Sequence, residues 1–323
     1  LQQLLRDLRR IDGLIVEENR PLAPLTTMKV GGVARCFVRP TSIGGLEKLL
    51  AYLHGHNIFY RILGNGSNLI VSDHGVSLVV CLSKLKRIYN SSKNILYVEA
   101  GCTISEFLAW CIKKGLSGME PLAGIPGSMG GAIFMNAGAN GVSIGDFVQE
   151  LCVTTRDGSS WYEATRDFFL YRKSNIPRGG LVSAVRFRLQ EDRFRQGSRD
   201  GASPRDYAIV SAPASLIMNN IRQTMKKRLS SQPLGRPSAG CVFRNPSEEV
   251  AAWSLIASCG LQGMRIRDAQ VSEKHANFIV NLGKASSKDI LSLIGLIKKR
   301  VWDETGVYLK EEVIVWDNEK QRL

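Results

Sequence analysis

The sequence has no uninterrupted apolar run near the roughly 18 residues that a membrane span requires. Its best run, Val76 to Leu82, has strand length and is broken by Ser77, so no bilayer crossing is expected. It also has no Cys-x-x-Cys pair. The seven cysteines, at 36, 81, 102, 111, 152, 241 and 259, are odd in number, and several sit in apolar runs. They read as reduced thiols of a cytoplasmic protein and not as a disulfide framework. Acidic residues are scarce, 29 against 43 lysines and arginines, which leaves a net charge of +14. The basic residues lie in short groups (Arg6, Arg9, Arg10; Lys84, Lys86, Arg87; Lys226, Lys227, Arg228; Lys298, Lys299, Arg300) and form no tail. That distribution suits a polyanionic small molecule better than nucleic acid. No internal repeat is present. The N-terminal LQQLLRDLRRIDGL lacks the continuous apolar core of a secretory signal and reads as a short amphipathic helix.

What is there is an ordinary globular composition, 44% hydrophobic and 22% charged, over 323 residues. That length is enough for two domains and a sizeable core. Leu46, Leu49, Leu50 and Leu53 have helical spacing between Ile43 and Asn57. Strands are expected at Tyr60–Leu63, Leu69–Ser72, Ser77–Leu82 and Ile95–Ala100, then at Glu150–Thr155 and Val182–Leu189. Thr103 with Glu106 three residues on has the spacing of a capping box, and Gly115 stops the helix between them. The final third is expected to hold helices near Glu248–Cys259 and Lys288–Thr305, with strands near Ala269–Ser272, Phe278–Asn281 and Tyr308–Trp316. Residues 191–206, rich in charge, glycine and serine with little to bury, read as a linker or surface insertion.

Two glycine-rich loops stand out. Gly64-Asn65-Gly66-Ser67-Asn68 follows a strand as a phosphate-cradling loop should, yet it lacks the third glycine of the dinucleotide fingerprint; a simple glycine-rich turn remains the competing reading. Gly124-Ile125-Pro126-Gly127-Ser128-Met129-Gly130-Gly131-Ala132 is dense enough in glycine for backbone N–H groups to face a pyrophosphate. Two such loops in one half of a chain point to a large phosphate-bearing cofactor. His54-Gly55-His56 offers two imidazoles with no Cys or Asp nearby, so no metal is expected.

Seven motifs in order, TTMKVGG (26–32), LGNGSNLIVSD (63–73), MEPLAGIPGSMGGAIFMNAGANG (119–141), YRKS (171–174), PSAGCVFRNP (237–246), SEKHANFIVN (272–281) and GVYLKEEV (306–313), resemble the UDP-N-acetylenolpyruvoylglucosamine reductase family. The resemblance covers about Leu25 to Trp316. It implies an α+β chain with a vanillyl-alcohol-oxidase/PCMH-type FAD-binding fold of two α/β lobes, followed by an α+β substrate-binding domain. The expected division is 1–190 for the FAD-binding domain (lobes about 20–95 and 96–190), 191–216 for a linker or insertion, and 217–323 for the substrate-binding domain. It further implies non-covalent FAD, NADPH as reductant, and reduction of the enolpyruvyl ether of UDP-N-acetylglucosamine to UDP-N-acetylmuramate in peptidoglycan precursor synthesis. No nucleic-acid, membrane or obligate protein partner is expected.

Carried over residue by residue, the family arginine falls on Arg172, stabilising charge on the substrate carboxylate, and the family glutamate on Glu312. The family usually has serine where Cys241 stands as proton donor, and a thiol is the stronger acid. For the other six cysteines an inert, buried role is preferred. The resemblance places Gly64 to Asn68, Gly124 to Ser128, Gly130, Gly131, Ala132, Asn136 and Gly138 around the cofactor. Tyr171, Arg244, Asn245, His275 and Asn277 fall around the substrate, although a buried structural histidine is an equal reading of His275. The wording around Cys241 resembles the form without an extra tyrosine-bearing loop. Rival readings are an oxidase on the same flavin fold and a basic binding protein that has lost catalysis with the serine.

Overall fold

A computed structural model describes residues 1–139, 141–190 and 208–317. The chain packs as two units that interleave in sequence. The first comprises Leu1–Val16, Val38–Asn65 and Val80–Lys226; the second comprises Glu17–Phe37, Gly66–Val79 and Lys227–Leu323. This grouping is not the sequential division expected from the motifs, because two N-terminal stretches pack with the C-terminal third. One physical cause is the parallel pairing of strand Leu69–Val71 with Ile314–Trp316. Another is the buried Asn281 amide, which donates to Met28 O at 3.1 Å.

The first unit is built on a seven-stranded sheet. Gly158–Glu163, Val148–Thr155, Leu181–Gln190, Ile209–Ser211 and Leu116–Ser117 run in that order, with Ile95–Glu99 also paired to Leu181–Gln190 and Ile88–Ser92 to Ile95–Glu99. Alternation along Ile95–Glu99 and Leu181–Gln190 sends Leu96, Val98, Val185 and Phe187 into one core with Phe107, Leu108 and Cys111 of helix Ile104–Lys114. That helix starts and stops where its sequence says. Thr103 and Glu106 exchange the two hydrogen bonds of a capping box, and Gly115 closes it in the left-handed conformation. Ile209–Ser211 pairs in parallel with the end of Leu181–Gln190, and helix Ala214–Ser231 follows. Strand Ile209–Ser211 and the start of this helix fall inside the expected linker or insertion, 191–216, of which residues 191–207 lie outside the described residues.

The second unit holds an antiparallel sheet in the order Ser238–Cys241, Phe278–Asn281, Ala269–Val271, Arg265–Ile266. Helix Ser287–Thr305 lays Ile290, Leu293, Ile294, Ile297 and Val301 into the core beside it, an i, i+3, i+4, i+7 stripe. The helix begins with a Ser286–Asp289 capping box. Asp73 reinforces it by accepting from Ser287 N at 2.9 Å and Ser287 Oγ at 2.8 Å. Of the closing strand expected at 308–316, only Ile314–Trp316 forms a ladder. The stretch before it is held against 242–244 by Arg244 N donating to Lys310 O and Glu312 N to Val242 O, at 2.9 and 2.7 Å.

Candidate active site

Gly64 of the first loop and Ser128 of the second both lie in the first unit, and they touch there. A Cβ built on Gly64 would lie 2.5 Å from Ser128 Oγ, so the first loop can sit against the second only because residue 64 has no side chain. Ser128 caps the short helix Met129–Phe134 by accepting from Gly131 N at 3.3 Å. Gly66 has φ +61°, and a Cβ there would lie 2.3 Å from Leu25 O, while Thr27 N donates to Gly66 O at 3.0 Å. The TTMKVGG segment therefore braces the first loop from behind.

Among the described residues the backbone N–H groups of Asn65, Gly66, Ser67 and Asn68 find no protein acceptor, and neither do those of Gly127 and Ser128. Runs of unspent N–H groups in short turns are anion cradles, which fits the pyrophosphate of FAD. Not every residue expected around the cofactor has that character. Gly130 is spent on packing, with a would-be Cβ 2.9 Å from Ala100 Cβ, and Gly138 on a tight turn against Val142 O at 2.6 Å. Ala132 lies in the core. The Asn136 side chain is also buried and bonded to protein. Its Nδ2 donates to Leu170 O at 3.0 Å and its Oδ1 accepts from Gly145 N at 3.1 Å. At these four positions the side chain, or its absence, serves the packing around the second loop. The Asn68 side chain is also bonded within the protein, its Nδ2 donating to Glu312 O at 3.1 Å.

Arg172 sits at the tip of a hairpin in the first unit, where Phe169–Leu170 pairs with Lys173–Ser174 and Tyr171 and Arg172 make the turn. Arg172 has φ +55°, an uncommon conformation for a residue with a side chain. Its Nη1 donates to Gly138 O at 3.2 Å, and its guanidinium lies 5.5 Å from the centre of the exposed Tyr171 ring. Ser174 Oγ donates to Phe134 O at 2.9 Å, tying the hairpin to the helix that leaves the second loop.

Cys241 and Glu312 come together on adjoining segments of the second unit. Strand Ser238–Cys241 pairs Ser238 with Val280 and Cys241 with Phe278, so one extra residue is inserted between the two pairs. Gly240, at φ +78°, takes up this bulge. Bulges of this kind re-aim the next side chain, here Cys241. Val242 then accepts from Glu312 N. Asn277 is among the residues expected beside the substrate. It is buried, and its amide is spent on both backbone groups of Phe243, accepting from N at 2.9 Å and donating to O at 2.8 Å. Its part is to fix the chain just after Cys241. Asn245 Oδ1 is likewise engaged, accepting from Ala252 N at the start of helix Ala252–Ser258 at 3.1 Å.

Arg244 Nε and His275 Nδ1 are different, being buried atoms that meet no protein partner among the described residues. Such atoms are costly unless something satisfies them. His275 packs edge-on against Phe278, the residue paired with Cys241, and burial pushes its pKa below the usual value, so the ring is neutral at pH 7. Six of the seven cysteines are buried and Cys241 alone is partly exposed. Burial pushes the Cys102 and Cys111 thiols up to about 12, which makes them poor acids and poor nucleophiles.

The two N-terminal histidines are engaged locally, His54 with the Tyr60 hydroxyl and His56 with Tyr52 O. Among the described residues no group of three or more His, Cys, Asp or Glu is placed to hold a metal ion. None of the described helices is long and apolar enough to cross a membrane.

Comparison with known proteins agrees with this geometry. Residues 34–161 match an FAD-binding domain, and residues 232–316 match the C-terminal domain of UDP-N-acetylenolpyruvoylglucosamine reductase. The reductase of Syntrophobacter fumaroxidans is 38% identical, over 94% of this chain and 85% of the relative. That of Carboxydothermus hydrogenoformans is 36% identical, over 93% of each. The crystal structure of the Thermus caldophilus reductase superposes with a TM-score of 0.75 at 32% identity, covering 94% of this chain and all of that one. With both domains matched and nearly full-length relatives well above 30% identity, this chain belongs to the UDP-N-acetylenolpyruvoylglucosamine reductase family.

Proposed function

We infer that this chain is an FAD-containing, NADPH-dependent oxidoreductase that reduces UDP-N-acetylglucosamine enolpyruvate to UDP-N-acetylmuramate, a step of peptidoglycan precursor synthesis. Bound FAD, reduced by NADPH, supplies the hydride that one alkene carbon receives. The glycine loops hold the cofactor through backbone N–H groups, with Gly64 and Ser128 setting their approach. Read along the sequence, residues 1–190 carry the FAD-binding loops and 217–323 the substrate-binding domain, with 17–37 and 66–79 packing among the C-terminal residues. The enzyme works in the cytoplasm, in keeping with an odd number of cysteines and no Cys-x-x-Cys pair.

The residues of the chain supply charge and a proton. As the alkene is reduced, negative charge collects toward the enolpyruvyl carboxylate, and a fixed cation there lowers the barrier. Arg172 is that cation, because its guanidinium cannot be discharged at neutral pH. The neighbouring carbon needs a proton, and the Cys241 thiol donates it, leaving a thiolate that solvent reprotonates. Glu312, pinned through its N–H beside Cys241, orients the reacting end of the substrate. Arg244 and His275 take polar groups of the nucleotide sugar. The observation that carries the acid assignment is that Cys241 alone among the cysteines is not buried and lies next to the Glu312 backbone contact.

Stopped-flow half-reactions test these roles. Arg172→Ala and Glu312→Ala should slow flavin reoxidation by the enolpyruvyl nucleotide far more than flavin reduction by NADPH. Equal loss in both halves would overturn the assignment.

A further inference from the structure

Each glycine loop is followed by an asparagine whose side-chain amide leaves the loop and clamps a segment that bears a reacting side chain. Asn68 ends the first loop. Its Nδ2 donates to Glu312 O, and its own carbonyl accepts from Ile314 N at 3.0 Å. The Glu312 peptide is thus held at both ends, by Val242 O on its N–H and by Asn68 on its carbonyl, where the parallel pairing of Leu69–Val71 with Ile314–Trp316 begins.

Asn136 follows the second loop and the helix it caps. It is itself strained, at φ +43°, and its Nδ2 donates to Leu170 O, two residues before Arg172 in the hairpin. Its Oδ1 is anchored by Gly145 N. Gly145 is a glycine of necessity, since a Cβ there would lie 2.5 Å from the Phe169 ring and 2.8 Å from Asn136 Oδ1. A residue at positive φ whose amide is bonded at both its nitrogen and its oxygen to backbone groups 34 and 9 residues away is held by its surroundings, a pattern that recurs at functional sites.

We propose that Asn68 and Asn136 are positioning residues that tie the two flavin-binding loops to the placement of Glu312 and Arg172 respectively, each through one side-chain N–H to a backbone carbonyl. The proposal rests on the roles given above to Arg172 and Glu312. It adds that these side chains are held by the same loops that hold the cofactor. The loops cradle phosphate with backbone N–H groups, which substitution of these side chains leaves in place. Loss of either clamp therefore acts chiefly on the substrate step.

Asp is the discriminating substitution. It keeps the shape, tolerates the left-handed conformation of residue 136, and still lets Gly145 N donate, but it replaces the donor with an acceptor facing a carbonyl. Protonating that carboxyl restores a donor. In the holoenzymes, prepared with FAD in excess, Asn68→Asp and Asn136→Asp should slow flavin reduction by NADPH far less than flavin reoxidation. Reoxidation by the enolpyruvyl nucleotide should slow about tenfold to a hundredfold, as misplacement of a reacting group by about 1 Å does. Substrate affinity of the oxidised enzyme, read from flavin spectral perturbation, should weaken in parallel.

Lowering the pH from 8 to 5.5 should restore the Asp variants toward the wild-type rate at each pH. The deletion variants Asn68→Ala and Asn136→Gly should stay slow throughout. Asp variants that reoxidise at the wild-type rate, that slow both half-reactions alike, or that follow the deletion variants with pH would overturn the proposal. Arg172→Ala and Glu312→Ala run beside them separate the two failures. If those variants slow reoxidation while the asparagine variants do not, the clamp alone is wrong. If those variants leave reoxidation untouched, the roles beneath it are wrong as well.

Discussion

Gly64→Ala probes the meeting of the two glycine loops. The added methyl would sit 2.5 Å from Ser128 Oγ but 3.7 Å from Ser128 Cβ and 4.0 Å from Gly131 Cα, so the hydroxyl is the single obstacle. It can turn away, but then Gly131 N loses its cap. Removing a serine cap costs about 1 kcal/mol, and turning a buried hydroxyl away from the N–H it accepts from leaves its oxygen unsatisfied as well, worth about 1–3 kcal/mol. The single variant should therefore lose about 2 kcal/mol and bind FAD on the order of tenfold more weakly. Ser128→Ala should lose about 1 kcal/mol. Once the hydroxyl is gone the methyl meets only ordinary contacts, so the double variant should match Ser128→Ala and not the sum of the two. The coupling is then of the size seen for residues in direct contact, roughly 1–2 kcal/mol. Denaturant unfolding of the apoprotein and titration of FAD into it measure both quantities. A double variant at or below the sum of the singles would refute the steric account of how the loops approach.

Cys241→Ala should cost about a hundredfold to ten-thousandfold in turnover while NADPH still bleaches the flavin, and Cys241→Ser should keep much of the activity. The wild type should show an alkaline limb as the thiolate forms, absent in the Ser variant, and substrate should protect against thiol alkylation. His275 is held neutral by burial, so its pKa in the fold lies below the ordinary 6.5. The unfolded chain takes up this proton first as the pH falls, so His275 lowers stability progressively below about 6.5. The melting temperature of His275→Gln should accordingly fall less steeply than that of the wild type between pH 6.5 and 5.

The elements legible in the sequence were those with strong local signals. The Thr103 capping box, the stripe of Ser287–Thr305 and the apolar runs of Val76–Cys81 and Phe278–Asn281 all form where their patterns point. Strands Ile88–Ser92 and Gly158–Glu163 were not legible, because they lie at the edge of their sheet and carry mainly polar or half-buried residues. Helix Ala214–Ser231 was missed for a related reason: Ile217 is its one fully buried residue. At the site, the loops and the sequence positions of Arg172, Cys241 and Glu312 were readable from motifs. The fate of the asparagines was not. Asn68, Asn136 and Asn277 sit in motifs that resemble ligand contacts, yet their amides bond to carbonyls and N–H groups 9 to 244 residues away, which no local pattern reveals. The bulge at Gly240 is another tertiary feature, visible only once Phe278 is found opposite Cys241.

The central claim is that this chain reduces an enolpyruvyl nucleotide sugar through FAD. Its most direct test is to purify the protein, confirm that acid releases its yellow colour into solution, and follow NADPH oxidation with and without UDP-N-acetylglucosamine enolpyruvate. The account predicts NADPH oxidation that depends on the nucleotide, with one NADPH consumed per product and a product heavier by about two mass units, the hydride and proton added across one double bond. A colourless protein, or a yellow one that oxidises NADPH at the same rate with and without the nucleotide, would contradict it.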